Sequence, residues 1–361
     1  MLPYWLLFLI PAFFAVSRPK PRQTMTVEAR RRRLTIGWKL IFALLVLMIG
    51  LRHQVGGDWE SYVGEIERIV EGSMENSSKV QDPMFTLFNW AAASSGFGVY
   101  LVNLLSAIFF SWGLIVFCRE QTRPWLALTV AVPYLITVVA MGYTRQGAAI
   151  GIVMIGMVAL ERGSSLKFML WIALAATFHK SAIILVPLAV LGSTQQRFLT
   201  ILWVVITGVI LYVLLLLESV DFLIRGYIED EYQSSGAAIR IAMNAVPGAL
   251  FLIFRSRFQI SIAQRSFWTW MGLTSLLFIA LLMISPSSTA VDRVALYWIP
   301  MQLFVLSRLP DALEGKGEKN PSWTYVVIGY SALVHFVWLV YADTAFAWLP
   351  YQFYPWVWLW N

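Results

Sequence analysis

Long apolar runs recur along this chain, many of them close to the ~20 residues that an α-helix needs to cross a bilayer. The sequence has 361 residues, of which 59% are hydrophobic and only 13% charged. A soluble core could not hide that much apolar surface, so the pattern predicts an all-α integral membrane protein. Apolar segments lie near 2–16, 36–51, 97–117, 124–140, 146–160, 168–178, 181–193, 199–217, 241–254, 266–284, 294–306 and 323–341. They make about 12 transmembrane or half-length helices. Residues 1–361 read as a single polytopic domain with no soluble domain and no internal repeat.

Charge orients this bundle. Cytoplasmic loops of membrane proteins carry excess Lys and Arg. Most of the 27 Lys and Arg residues fall in alternate loops, above all in the basic loop at about 17–35. That side is expected to be cytoplasmic. Leu2–Val16 lacks a positive leading region, so it reads as a first span with its N-terminus outside rather than a signal peptide. The sizeable outer loops are then about 52–83 and 218–240. The net charge of +7 follows from the same bias; no nucleic-acid-binding module accompanies it. Cys118 is the single cysteine, and His53, His179 and His335 are the only histidines. Neither a cysteine metal cluster nor an HExxH site is available. The sequence implies no metal and no cofactor.

Phe168–Leu191 permits two readings. One continuous span would bury His179 and Lys180 in its middle and would turn the later basic loops outward. Two short helices meeting at His179–Lys180 keep the charge bias. Helices of 11–13 residues at ~1.5 Å per residue cannot cross a ~30 Å core. Broken helices are tolerated where they line a protein-walled or wet cavity, so the hairpin implies a cavity near His179. A further half-length helix is expected at Met84–Ala93, with Asp82 as its N-cap and Pro83 at its first position.

Three arginines fall on the side that orientation does not explain: Arg52, Arg145 and Arg293. In the first outer loop Arg52 is followed by Gly56-Gly57-Asp58-Trp59-Glu60 and Tyr62. The glycines allow a tight turn, after which an interfacial helix can begin. Asp58 and Glu60 suit a helix N-terminus on dipole grounds alone. A carboxylate at this depth can also deprotonate a hydroxyl, and Asp58-x-Glu60 could alternatively hold a divalent cation. Arg145-Gln146 heads a span with Gly147 and Gly151 at GxxxG spacing, a sign of close helix packing. A cation there opposes the helix dipole unless it snorkels to lipid headgroups or meets an anion; helix N-termini and guanidinium groups both bind phosphate oxygens. His179-Lys180 is an ionisable pair at membrane depth, either a polar kink or a functional element. Asp292 beside Arg293 offers that arginine a local partner. The segment Trp348–Pro355 reads as an interfacial aromatic belt that could also present stacking faces to sugar rings.

Arg52…Gly57-Asp58…Tyr62, Asp82-Pro83, Arg145-Gln146-Gly147-Ala148, the stretch Ala175-Ala176-Thr177-Phe178-His179-Lys180-Ser181-Ala182, Arg293…Tyr297 and Leu349-Pro350-Tyr351 occur in an order that resembles the EpsG/Wzy-type polysaccharide polymerases. The resemblance covers roughly residues 50–355. It implies a GT-C-like enzyme of the bacterial inner membrane that joins oligosaccharide repeat units carried on undecaprenyl pyrophosphate, with its site on the outer face. A chain-length regulator and other glycan export proteins are the partners it implies. A departing pyrophosphate needs cations near its developing charge. Arg52, Arg145 and Arg293, with Lys180, would supply them. Gln146, Tyr62 and Glu60 would line the same substrate site, and Asp58 or His179 would take the acceptor's proton. Three other functions share parts of this site. A transporter of an anionic lipid-linked glycan needs polar residues along a path to the cytoplasm, and His335 alone lies well inside the later spans. A glycan ligase shares the leaving group and differs in acceptor. An acyltransferase would place a catalytic His near the cytoplasmic face.

Overall fold

The computed structural model describes residues 1–17, 34–72, 82–192, 197–211, 234, 236–313 and 322–360. Two expected features lie outside the described residues: the basic loop at about 17–35, and nearly all of the outer loop at about 218–240. Among the described residues the chain is mostly helical and has no strand beyond an isolated bridge between Arg52 and Phe353.

The helices are α1 (Leu2–Ser17), α2 (Ile36–Gly50), α3 (Trp59–Val70), α4 (Pro83–Ser95), α5 (Val99–Glu120), α6 (Pro124–Ala131), α7 (Thr144–Glu161), α8 (Ser165–Phe178), α9 (Leu188–Gly192), α10 (Arg197–Leu211), α11 (Ala237–Phe254), α12 (Ile262–Ile284), α13 (Ser288–Ala295), α14 (Ile299–Leu313), α15 (Ser322–Tyr341) and α16 (Tyr354–Trp360). Four of them, α5, α11, α12 and α15, are by themselves long and apolar enough to cross a membrane. Within the described residues the apolar segments expected from the sequence fall mainly on helix, and the protein is an integral membrane protein of helical class.

Two segments expected to be continuous are broken. Residues 124–140 form α6 and then a π-helical stretch, Val132–Ala140. Pro133 has no N–H to give to the helix ladder. The Thr137 hydroxyl donates to the Val132 carbonyl at 2.8 Å, five residues back. The segment expected at 294–306 is instead α13, a 3-10 turn at Leu296–Trp298, and α14. Arg293 therefore sits in the last turn of a short separate helix, where a cation is favoured by the dipole, and not at the head of a span.

A further break falls within 168–191, the segment that permits two readings. Helix α8 ends at Phe178, and His179 is extended, with φ −157° and ψ 113°. A 3-10 turn, Lys180–Leu185, follows, and α9 then packs back against α8. The segment is not one continuous helix.

Helix α7 is the axis of the bundle. Every residue from Gln146 to Leu160 is buried, which explains its run of Gly and Ala. A Cβ on Gly113 of α5 would lie 1.8 Å from the Gly151 carbonyl oxygen, and one on Gly151 would lie 2.5 Å from the Phe110 Cα. The two backbones touch, as the GxxxG spacing implies. On its other sides α7 meets Ala140 at Gly147 and Trp171 of α8 at Gly156.

The chain's two ends close one pole of the bundle. Tyr4 donates to the Trp348 carbonyl at 2.7 Å, and the Trp348 indole donates to the Thr137 carbonyl at 2.8 Å. Trp348 is buried and fills the space left by Gly142, where a Cβ would lie 2.2 Å from its ring. It is therefore a core residue rather than part of an exposed belt. Overpacking a fitted contact usually costs ~1–3 kcal/mol. At Gly151 the neighbour is backbone and cannot swing aside. Gly151→Val is expected to lower the melting temperature of the detergent-solubilised protein by at least several degrees, or to abolish membrane accumulation. Unchanged melting would show that α5 and α7 do not touch here.

Candidate functional site

The loop after α2 is built around Arg52. Its side chain is 1% exposed. Nε donates to the Val55 carbonyl at 3.0 Å and Nη1 to the Ile49 carbonyl, closing the end of α2. Nη2 donates to Asn103 Oδ1 at 3.0 Å and to Thr144 Oγ1 at 2.7 Å. One guanidinium thus joins α2, α5 and the first residue of α7. Burial pulls its pKa down to about 10, which leaves it charged at neutral pH. The same loop pairs with the C-terminal segment: His53 N–H donates to the Gln352 carbonyl at 3.0 Å and Tyr354 N–H to the Leu51 carbonyl at 2.8 Å. Gly56 has φ +109°, and a Cβ there would strike the Met141 carbonyl at 2.3 Å. Only glycine fits this turn, and the turn delivers Asp58 to the start of α3.

Helix α3 sorts the acidic residues by face. Asp58, Tyr62 and Glu65 recur at intervals of four and three, so they share one side of a 3.6-residue helix. Asp58 is half-buried, and Tyr62 and Glu65 are buried. Tyr62 Oη donates to Asp58 Oδ2 at 3.3 Å. Glu60, two residues from Asp58, falls on the opposite side and is exposed. The two carboxylates of the Asp58-x-Glu60 spacing thus point to different faces.

Arg145 is the second residue of α7. Its guanidinium lies over the Phe85 ring at 5.3 Å and the Tyr62 ring at 5.8 Å. The nearest carboxylates answer the dipole conflict from a distance: Glu65 Oε1 stands 3.8 Å from Nη2 and Asp82 Oδ2 4.0 Å from Nη1. Compare Arg240, which grips Asp292 through two bonds of 2.8 and 2.7 Å. Arg145 is 30% exposed, so it is both held and accessible.

Asp82 does not act as the cap its position suggested. It occupies the N-cap of α4, but its carboxylate makes no cap hydrogen bond there. It reaches across to the break after α8 instead. Lys180 N–H donates to Asp82 Oδ1 at 2.9 Å, and His179 Nδ1 lies 3.3 Å from Asp82 Oδ2. Beyond the break, Ser181 Oγ and Tyr297 Oη are 3.1 Å apart. The Lys180 side chain is buried. Asn89 Nδ2 donates to Glu65 Oε2 at 3.0 Å, fixing that carboxylate from α4.

Arg293 arrives from the other side. Gln146 Nε2 donates to the Arg293 carbonyl at 2.6 Å, so α7 holds the end of α13. Arg293 is exposed. Asp292, expected as its local partner, is the one gripped by Arg240.

These contacts gather Asp58, Tyr62, Arg145, His179, Lys180 and Arg293 at one pole, with Gln146 as a brace and Arg52 behind them. Burial raises the Asp58 pKa, against the opposing pull of Arg293 first, then Arg145, the Tyr62 hydrogen bond and His179. Sequence reasoning missed Glu65, Asn103 and Thr144, and read Asp82 only as a helix start. The Asp58/Tyr62/Glu65 spacing was a usable signal; the reach of Asp82 across the fold had none. Among the described residues no group of three or more His, Cys, Asp or Glu is placed to hold a metal ion.

A family model for the EpsG family matches residues 36–353. This chain belongs to the EpsG family. Membership points to a polysaccharide polymerase role, and the matched region of this EpsG protein contains all the residues of the cluster. Comparison with curated proteins and with solved structures finds no match.

Chemically, the arrangement offers two accessible guanidinium groups beside two groups that can accept a proton. An anion bound between Arg145 and Arg293 would be repelled by Asp58 when that carboxyl is ionised. Because burial raises its pKa, Asp58 loses its charge as pH falls through a value above its ordinary one. Asp58→Asn is therefore expected to bind a bisphosphonate probe more tightly than wild type at pH 8, with the two affinities converging as pH falls. A wild type-to-variant ratio that stays constant from pH 8 to pH 4 would remove Asp58 from the anion's surroundings.

Proposed function

We propose that this EpsG protein polymerises undecaprenyl-pyrophosphate-linked oligosaccharide repeat units on the outer face of the bacterial inner membrane. The product would be an exopolysaccharide, capsule or O-antigen. The observation that carries this reading is the convergence of Arg145 and Arg293 on a pole that also presents Asp58 and His179. The positive-inside bias puts that pole outside. A GT-C-like architecture accords with the family and with a site built from outer loops and broken helices.

In this mechanism the acceptor sugar hydroxyl attacks the anomeric carbon of the donor sugar. The new glycosidic C–O bond forms as the bond to the pyrophosphate oxygen breaks. The lipid pyrophosphate leaves with the electron pair, and Arg145 and Arg293 stabilise its charge, as guanidinium groups do for phosphoryl oxygens in sites shielded from water. Lys180, buried next to His179, would add to the positive charge of the pole. The acceptor's proton passes to a base, Asp58 or His179. Gln146 fixes Arg293 through its backbone. Arg52, committed to four protein acceptors, acts by holding the head of α7 rather than by touching substrate. Tyr62 forms the floor beneath Arg145, and Glu60, on the opposite side of α3, stands away from it.

Arg145→Lys tests the cradle. Lys keeps the charge and loses the planar two-donor face. The variant is expected to accumulate and insert normally while long-chain glycan in cells falls at least tenfold. Near-normal polymer would end the role of Arg145. With purified protein, EDTA is expected to leave activity intact; complete loss restored by a divalent ion would contradict a cradle built from side chains.

A further inference from the structure

We infer that Asp82 is the positioning residue of the transfer reaction: it fixes the ring and tautomer of His179 so that Nε2 is the atom that takes the acceptor's proton. The inference rests on the polymerase reading above and selects between its two bases.

The argument begins with donors and acceptors. Asp82 is 6% exposed and lies at the head of α4, 97 residues from His179 in sequence. One oxygen accepts the Lys180 N–H at 2.9 Å and the other lies 3.3 Å from His179 Nδ1. An ionised carboxylate only accepts, so Nδ1 must carry the hydrogen between them. In a neutral imidazole the lone pair is then on Nε2, the far side of the ring. His179 is the extended residue between α8 and the 3-10 turn, and this break sets its ring beside Asp82. The backbone of the next residue is tied to the same carboxylate. Asp82 thus controls both the ring's hydrogen bond and the position of the chain that carries it.

The surroundings assign the roles further. Arg145 approaches Asp82 from α7, at 4.0 Å, and Glu65 approaches Arg145 from α3, at 3.8 Å. Asp58 at the start of α3 is within electrostatic reach of His179, Arg145 and Arg293. Lys180 is on His179's own segment, and Ser181 meets Tyr297 beyond it. Asp58 is hydrogen-bonded by Tyr62 and faces the cations, whereas His179 is oriented by a second carboxylate, and this geometry selects the imidazole. In the step itself, the sugar O–H bond breaks and its proton moves to Nε2. The oxygen bonds the anomeric carbon, and the pyrophosphate leaves with its electrons. Asp82 stabilises the resulting imidazolium without being protonated. The imidazolium then returns its proton to water before the next cycle.

Asp82→Asn separates this role from a structural one. The amide oxygen can still accept the Lys180 N–H, but the amide nitrogen then faces Nδ1 and donates to it. The hydrogen is pushed to Nε2, and the base is lost. The assay is polymer formation by purified, reconstituted protein from lipid-linked repeat units. For Asp82→Asn, kcat is expected to fall roughly 10²–10⁴-fold, with KM little changed and melting temperature retained. His179→Ala is expected to fall similarly, and the double variant no further than the worse single one, because residues acting as a unit are not additive. Imidazole ¹⁵N shifts give an independent reading on the unmodified protein, with the His179 signal assigned by its disappearance in His179→Ala. They are expected to show hydrogen on Nδ1 in wild type and on Nε2 in Asp82→Asn. Wild-type kcat in Asp82→Asn, additive losses in the double variant, or an Nε2–H tautomer in wild type would each overturn the inference. The wild-type shifts decide it even where the variant does not fold. Failure of wild type itself to polymerise would instead overturn the polymerase reading, while the shifts would still report the dyad.

Discussion

Three consecutive residues at the head of α7 organise one pole of the bundle. The Thr144 hydroxyl takes a bond from Arg52, Arg145 faces the site, and the Gln146 amide holds the Arg293 backbone. This works only because α7 itself has nowhere to go. It is buried on every side, with Gly151 in backbone contact with α5. Small residues in the middle of the helix therefore fix the coordinates of charged residues at its end.

Arg52, Arg145 and Arg293 illustrate three ways of accommodating a cation at this pole. Arg52 is fully buried, and four protein oxygens satisfy it. Its fixed donors support a loop and a helix head, which is the cheapest use of a charge that cannot reach water. Arg145 is half-committed: aromatic rings below, two carboxylates near 4 Å, and an open side. Arg293 is held by its backbone and exposed by its side chain. Only the second and third arrangements leave guanidinium surface for a ligand. The division follows from geometry, and the shared residue type does not reveal it.

Helical class, the half-length helix after Asp82 and the break at His179 were legible in the sequence, because hydropathy, Pro83 and an ionisable pair leave local marks. The head of α7 was legible for the same reason. Arg52 was not: nothing local says that its partners would be Asn103 and Thr144, about 50 and 90 residues away. The separation of α13 from α14 was hidden because Val294–Leu306 reads as one apolar run. Asp82 was half-read. Its helix-start signal was sound, but a side chain that leaves its own helix to hold a distant corner gives no periodic signal. Glu65 was overlooked although its spacing from Asp58 and Tyr62 puts all three on one face.

The central claim is that this pole breaks a bond to a lipid pyrophosphate and makes a glycosidic bond repeatedly. The most direct measurement is electrophoresis of products from proteoliposomes that contain only this protein and lipid-linked repeat units. A ladder of successive polymer lengths with release of the lipid pyrophosphate is the expected result. A single transfer to a different acceptor, or movement of the glycolipid with no new bond, would contradict it.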